Sequence, residues 1–145
     1  MYIIGFLYAS LVEWLVHKYL FHGYGKKKNN VFSFHIREHH VRCLKNENHD
    51  HNFTLRENIG IAFLILLHLP ALLWSPAFFW GVVSYGINFM IIHKICHMKP
   101  EWGRKFVPWH WDHHMKFQNH NFNVVLPFWD YVLGTRKKIL DKSKT

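Results

Sequence analysis

Apolar and polar positions segregate along this chain into two long apolar stretches, with polar, histidine-rich segments between and after them. The longer stretch, residues 58–93, reads NIGIAFLILLHLPALLWSPAFFWGVVSYGINFMIIH and holds no Asp, Glu, Lys or Arg. Such a run is either a membrane segment or a deeply buried core. As one straight helix it would extend roughly 54 Å, far more than the ~30 Å hydrocarbon core of a bilayer. Pro70 and the pair Ser75 and Pro76 lie near its middle. Proline removes a backbone donor and breaks a helix, so the pattern predicts a hairpin of two helices turning near Ser75. Residues 2–21, YIIGFLYASLVEWLVHKYLF, are long enough for one more crossing and stop near Gly23 and Gly25. The expected class is an all-α integral membrane protein, a single domain over residues 1–145, with one N-terminal transmembrane helix, a helical hairpin and a histidine-rich helical cap.

Composition changes this picture in only a few places. A mean hydropathy of −0.10 averages apolar helices with flanks crowded with His, Lys and Asn, so the windowed pattern outweighs it. The net charge of +9 comes from basic residues that border the apolar segments on both sides of the hairpin. The positive-inside tendency puts those flanks, and the histidines among them, on the cytoplasmic face near anionic lipid. No recognised nucleic-acid motif accompanies the charge, so nucleic acid is not an expected partner. Cys43 and Cys96 form no CxxC pair and imply no disulfide framework, which suits a reducing side of the membrane. The N-terminal run has no basic leader and no small-residue cleavage site, and is expected to stay as a membrane helix. Lys26, Lys27, Lys28, Asn29 and Asn30 read as a solvated loop, residues 136–144 as a basic tail, and Trp102, Trp109 and Trp111 as interface anchors.

Ten of the histidines fall into four clusters, two on each side of the hairpin, which brings them together: His17/His22, His35/His39/His40, His93/His97 and His110/His113/His114. His93 and His97 share a helix face, as do His110, His113 and His114. On an ideal helix His35 and His39 share a face with His40 rotated by about 100°, and His17 and His22 lie about 140° apart. The latter pair therefore either addresses two ions or straddles a helix end. Ten partly buried imidazoles are costly unless paired, and they divide as five for each of two ions. Five nitrogens leave one octahedral position open, which suits an O2-activating iron, although an all-nitrogen shell does not by itself exclude zinc or manganese. Glu13, at membrane depth and one turn from His17, is placed to fix that ring's tautomer. Asn88 lies near enough to His93 to contact the metal shell or a substrate. His49, His51, His68 and His120 read as loop or structural residues.

These boxes, in the order HX4H, HX3HH, HX3H and HX2HH around a hydrophobic hairpin, resemble the fatty acid hydroxylase/sterol desaturase superfamily. EWLVHKYLFH is similar to the family's first box, and HHMKFQNHNFNVVLPFWDYVLGT to its last box and closing signature. The likeness runs over residues 13–135. It implies a membrane di-iron centre that uses O2 and two external electrons to oxidise a lipid C–H bond, with zinc able to replace the iron. The ligands it implies are His17, His22, His35, His39, His40, His93, His97, His110, His113 and His114. Asp130, in PFWD, looks like the signature aspartate and would support the shell or anchor the His110 helix. Family members usually carry two hairpins, so one helix before Tyr2 is expected to be absent, with Met1 on the non-cytoplasmic side and no fused electron-transfer domain. Asn123 stands where a glycine is common.

The expected activity is hydroxylation of a lipid acyl chain entering between helices walled by Phe6, Leu7, Phe63, Leu67, Ile87 and Phe89. An external electron carrier would dock on the basic face. A carotenoid ring hydroxylase, a lipid or sterol desaturase or oxidase, and a non-catalytic metal-binding or metal-transporting membrane protein remain open alternatives.

Overall fold

The computed structural model describes residues 1–51 and 55–139; the tail beyond Ile139 and the end of the polar loop at Asn52 lie outside them. Every regular element among the described residues is helical. In chain order they are α1 (Tyr2–Leu15), which runs on into a π-helical turn (Val16–Phe21), a short 3-10 turn (Tyr24–Lys26), a second π-helical turn (His35–His40), α2 (Val41–Lys45), α3 (Leu55–Leu67), α4 (Ala71–Trp74), α5 (Pro76–Met98), α6 (Pro100–Phe106), α7 (Pro108–Met115) and α8 (Phe128–Val132).

Proline punctuates the second half of the chain. Pro76, Pro100 and Pro108 each occupy the first turn of a helix, where a missing N–H costs nothing. Ser75, in extended backbone, caps α5 by accepting from the Phe78 N–H at 3.4 Å. The hairpin therefore turns where the sequence places it. Its first arm is shorter than expected, however. α3 has 13 residues, roughly 20 Å of helix, and ends before a run of tight turns through His68, Leu69 and Pro70 into α4.

Two helical spans are long and apolar enough to cross a bilayer, Tyr2–Lys26 and Pro76–Met98. Only 28% of the most apolar window of each is buried, whereas the core helix of a soluble protein would be mostly covered. The uncovered surface is apolar: Ile3 is 72% exposed, Trp74 71% and Leu73 94%. Such a belt favours a membrane surround.

α1 and α5 pack at backbone contact. A Cβ on Gly5 would sit 2.1 Å from the Phe78 carbonyl oxygen, and one on Gly81 2.2 Å from that of Tyr2. Small residues let two apolar helices approach this closely where lipid gives no hydrophobic drive to associate. Ala9, Val82 and Tyr85 form the core of the crossing, with Phe6, Phe78 and Val125 around them. The segment after α7 folds back onto α1. Trp129 donates to the Leu7 carbonyl at 3.0 Å, Asn123 to that of Ser10 at 2.8 Å, and Trp14 to the Thr135 hydroxyl at 3.0 Å. This clasp closes the histidine-bearing end of the molecule.

Candidate metal centre

The two π turns decide how the histidines are sorted. In a π turn the backbone bond runs five residues back, and the His22 N–H donates to the His17 carbonyl at 2.9 Å. Residues five apart then lie on one face, and the rings of His17 and His22 are 5.0 Å apart. Neither alternative for this pair holds: the two rings address the same place, and the helix continues between them. The second π turn acts likewise on His35 and His40, whose rings are 4.8 Å apart, and turns His39 elsewhere. The expected pairing of His35 with His39 is thus corrected.

Two groups result. His17, His22, His35, His40 and His113 bring ligand atoms within 4.8 Å of one another, and His39, His93, His97 and His114 do the same. His110 adjoins the second group, its Nε2 lying 3.0 Å from that of His97. All ten side chains are buried. Two donors on opposite sides of one ion, each at about 2.1 Å, stand about 4.2 Å apart, so both groups have the dimensions of a coordination shell.

Hydrogen bonding at the far nitrogen prepares four of these rings. His17 Nδ1 donates to the Phe122 carbonyl at 2.5 Å, His113 Nδ1 to that of His120 at 2.6 Å, and His97 Nδ1 to that of Asn48 at 2.9 Å. His39 Nδ1 donates to Asp50 at 2.8 Å. A carbonyl only accepts, so the proton resides on Nδ1 and Nε2 presents its lone pair inward. The bare nitrogens face one another: His17 and His35 Nε2 atoms are 2.9 Å apart, and those of His113 and His40 3.1 Å. Among the described residues, both ring nitrogens of His22 and His114 and Nε2 of His39 are buried with no hydrogen-bond partner. Buried polar atoms left so cost about 1–3 kcal/mol each, and an ion in each group would satisfy one nitrogen of each of these rings. Burial, reinforced by neighbouring imidazoles, holds His35, His40, His110, His113 and His114 well below the usual histidine range. They are neutral at neutral pH, the form that binds metal. The donor set thus fits two ions.

The surroundings differ from expectation in several places. Among the described residues Glu13 makes no hydrogen bond to His17. It accepts from the Tyr85 hydroxyl, from Asn123 Nδ2 at 2.9 Å and from the Val124 N–H at 2.7 Å. Its effect on His17 passes through the segment it fastens, whose Phe122 carbonyl meets the ring. Asp130 fastens the same segment, accepting from the Phe122 and Asn123 N–H groups at 2.8 Å each and from the Thr135 hydroxyl at 2.6 Å. Among the described residues its side chain makes no hydrogen bond to α7. That helix is tied by Trp109, which donates to the Val124 carbonyl at 2.8 Å and so is a clamp rather than an interface anchor, and by Asp112, 3.2 Å from Arg136. Asn88 is exposed and donates to the Ser84 carbonyl at 2.8 Å, away from both groups. His49 and His51 are exposed, His68 bonds the Leu64 carbonyl and the Tyr8 hydroxyl, and His120 contributes only its carbonyl.

Sequence reasoning passed over residues 42–50, the end of α2 and the loop after it. Asp50, which holds His39, is gripped by Arg42 through Nε at 2.9 Å and Nη2 at 3.0 Å. Asn48 reaches His97 from a backbone with φ of 70°, after Glu47 at 50°, a left-handed conformation that Asn tolerates and Glu rarely adopts. The nearest sequence signal was the acidic and amide content of KNENHD beside a histidine box.

Between α1, α3 and α5 lies a cavity of about 940 Å³ with mostly apolar walls. Phe63 and Phe89 line it as expected, but Phe6, Leu7, Leu67 and Ile87 do not: Phe6 packs on Tyr85 and Ile87 faces outward. It extends from His68 to His17, His35 and His93, so it meets both histidine groups.

No curated protein and no solved structure shows a significant match to this chain. The sequence model for fatty acid hydroxylases matches residues 2–135. That span holds all ten clustered histidines, both π turns and the clasp that orients His17, and the chain belongs to the fatty acid hydroxylase family, within the fatty acid hydroxylase/sterol desaturase superfamily.

Proposed function

We propose that this protein is a membrane-bound, O2-dependent hydroxylase of lipid acyl chains with two iron ions in its histidine groups. The observation that carries the reading is the long apolar cavity ending against both groups. A volume of about 940 Å³ lies within the range of ligand sites, and walls such as Val12, Leu64 and Phe89 suit a hydrocarbon rather than a polar substrate. His17, His22, His35, His40 and His113 would hold one ion; His39, His93, His97, His110 and His114 would hold the other. When bound, the ions supply the reductive activation of O2.

The remaining work belongs to the chain. The reaction inserts one oxygen atom: R–H, O2, two electrons and two protons give R–OH and water. The cavity walls fix which carbon reaches the histidines. Arg56, Asn29 and Asn30 line the same cavity and offer polar anchoring for a lipid head group. The two electrons come from an external carrier. Lys18, Lys26, Arg37, Lys94 and Lys105 lie in segments beside the histidine boxes, and the positive-inside tendency makes that face cytoplasmic.

The test is lipid mass spectrometry of a host expressing the intact chain beside one expressing the His113→Ala, His114→Ala double variant. A lipid heavier by one oxygen, present only with the intact chain, is the expected result. Loss of two hydrogens would assign desaturation instead. An unchanged lipid profile from a folded, iron-loaded chain supplied with reductant would turn the reading towards metal binding without catalysis.

A further inference from the structure

Ten neutral imidazoles around two divalent ions leave all the positive charge of those ions uncompensated in a site beside hydrocarbon, so the nearby carboxylates matter. Most are already engaged. Asp50 is shared between Arg42 and His39, Asp112 pairs with Arg136, Asp130 takes two backbone N–H groups, and Glu13 takes Tyr85, Asn123 and Val124. Glu57 is the exception. It is 9% exposed, lines the cavity, and among the described residues makes no hydrogen bond or ion pair; the neighbouring Arg56 points to Glu38. A carboxylate oxygen of Glu57 lies within 4.8 Å of ligand nitrogens of both His35 and His39. These two histidines belong to different groups, and His39 Nε2 is one of the buried nitrogens with no hydrogen-bond partner.

We infer that Glu57 is an eleventh ligand, a carboxylate that spans the two metal positions from the cavity side. The placement has two consequences. A carboxylate carries two oxygens, so one residue can address both ions and fix their separation. It also lowers the charge of the centre at the wall where an apolar chain must approach, since Glu57 lines the same cavity as His17, His35 and His93. This rests on the reading that each histidine group holds an ion, but it concerns coordination and is independent of which lipid is oxidised.

Co(II) alone serves as the probe. The full chain in detergent is stripped with chelator, reloaded without oxygen, and compared with Glu57→Gln and Glu57→Asp by metal count, chelator competition and visible ligand-field absorption. The parent is expected to take two Co(II). Glu57→Gln should shift the ligand-field bands and weaken at least one ion by about tenfold or more, with Glu57→Asp recovering part of both effects. Bands and affinities identical to the parent in Glu57→Gln would overturn the inference while leaving the histidine groups standing. A parent that binds fewer than two ions would overturn the two-ion reading and this inference with it. The unmodified chain gives a second readout, free of any folding defect in a variant: the infrared difference between stripped and loaded protein should contain a carboxylate-stretch change, and its absence would also refute the assignment.

Discussion

Asp50 illustrates how a side chain outside the two histidine groups sets the chemistry of one within them. Locked by two bonds from Arg42, it holds the proton on His39 Nδ1 and so bares Nε2. Asp50→Asn is expected to weaken metal in the second group about 10–100-fold, as other changes behind a ligand histidine do, measured by chelator competition. Asp130 acts at one further remove. Asp130→Ala removes three hydrogen bonds to a buried carboxylate at about 1.5–3 kcal/mol each, less than additively, and should lower the thermal midpoint strongly, with Asp130→Asn milder. Glu13 stood out in the sequence as a charge in an apolar setting, and Asp130 through the resemblance of PFWD to a family signature. The sequence could not show what either would grip, since three of the partners are backbone N–H groups of residues 122–124, and nearly every residue has one. Asn48 escaped notice for the same reason: its carbonyl, not its amide, reaches His97.

Among the elements, the hairpin and the helix starts were legible because proline states its position in the chain. The π turns were not. A spacing of five looks like divergence on an ideal helix, and only the widened turn converts it to convergence. Nothing in HKYLFH or HIREHH distinguishes the two outcomes in advance, apart from the family's own boxes. The α1 and α5 crossing gives a discriminating test. Gly81→Ala drives a methyl into the Tyr2 backbone and should cost about 1–3 kcal/mol, visible as a lower thermal midpoint. Gly86→Ala meets only the Ile61 and Ile65 side chains at 3.4 Å, and should be neutral or stabilise by about 0.5–1 kcal/mol through helix propensity. If both behave alike, close backbone approach is not what holds the helices.

For the molecule as a whole, metal and cavity are separable. Each ion present at about 100 times its Kd should add about 2.7 kcal/mol to stability, so stripping with chelator should lower the melting temperature and resupply restore it. Leu64→Trp fills part of the cavity away from the histidines and should shift the oxidised carbon or abolish product while metal content stays at the parent value, read by lipid mass spectrometry beside metal analysis. The clasp between α1 and the 122–135 segment bears on how the protein is made. His17 emerges from the ribosome early, yet the carbonyl that fixes its proton belongs to Phe122, a separation of 105 residues, and two of the three partners of Glu13, Asn123 and Val124, come just as late. Until that segment is made, the first helix must therefore wait with the His17 proton unfixed and Glu13 held by Tyr85 alone. Chains arrested short of residue 122 should bind no metal at their first box, which makes the loading of this centre an event that follows translation instead of accompanying it.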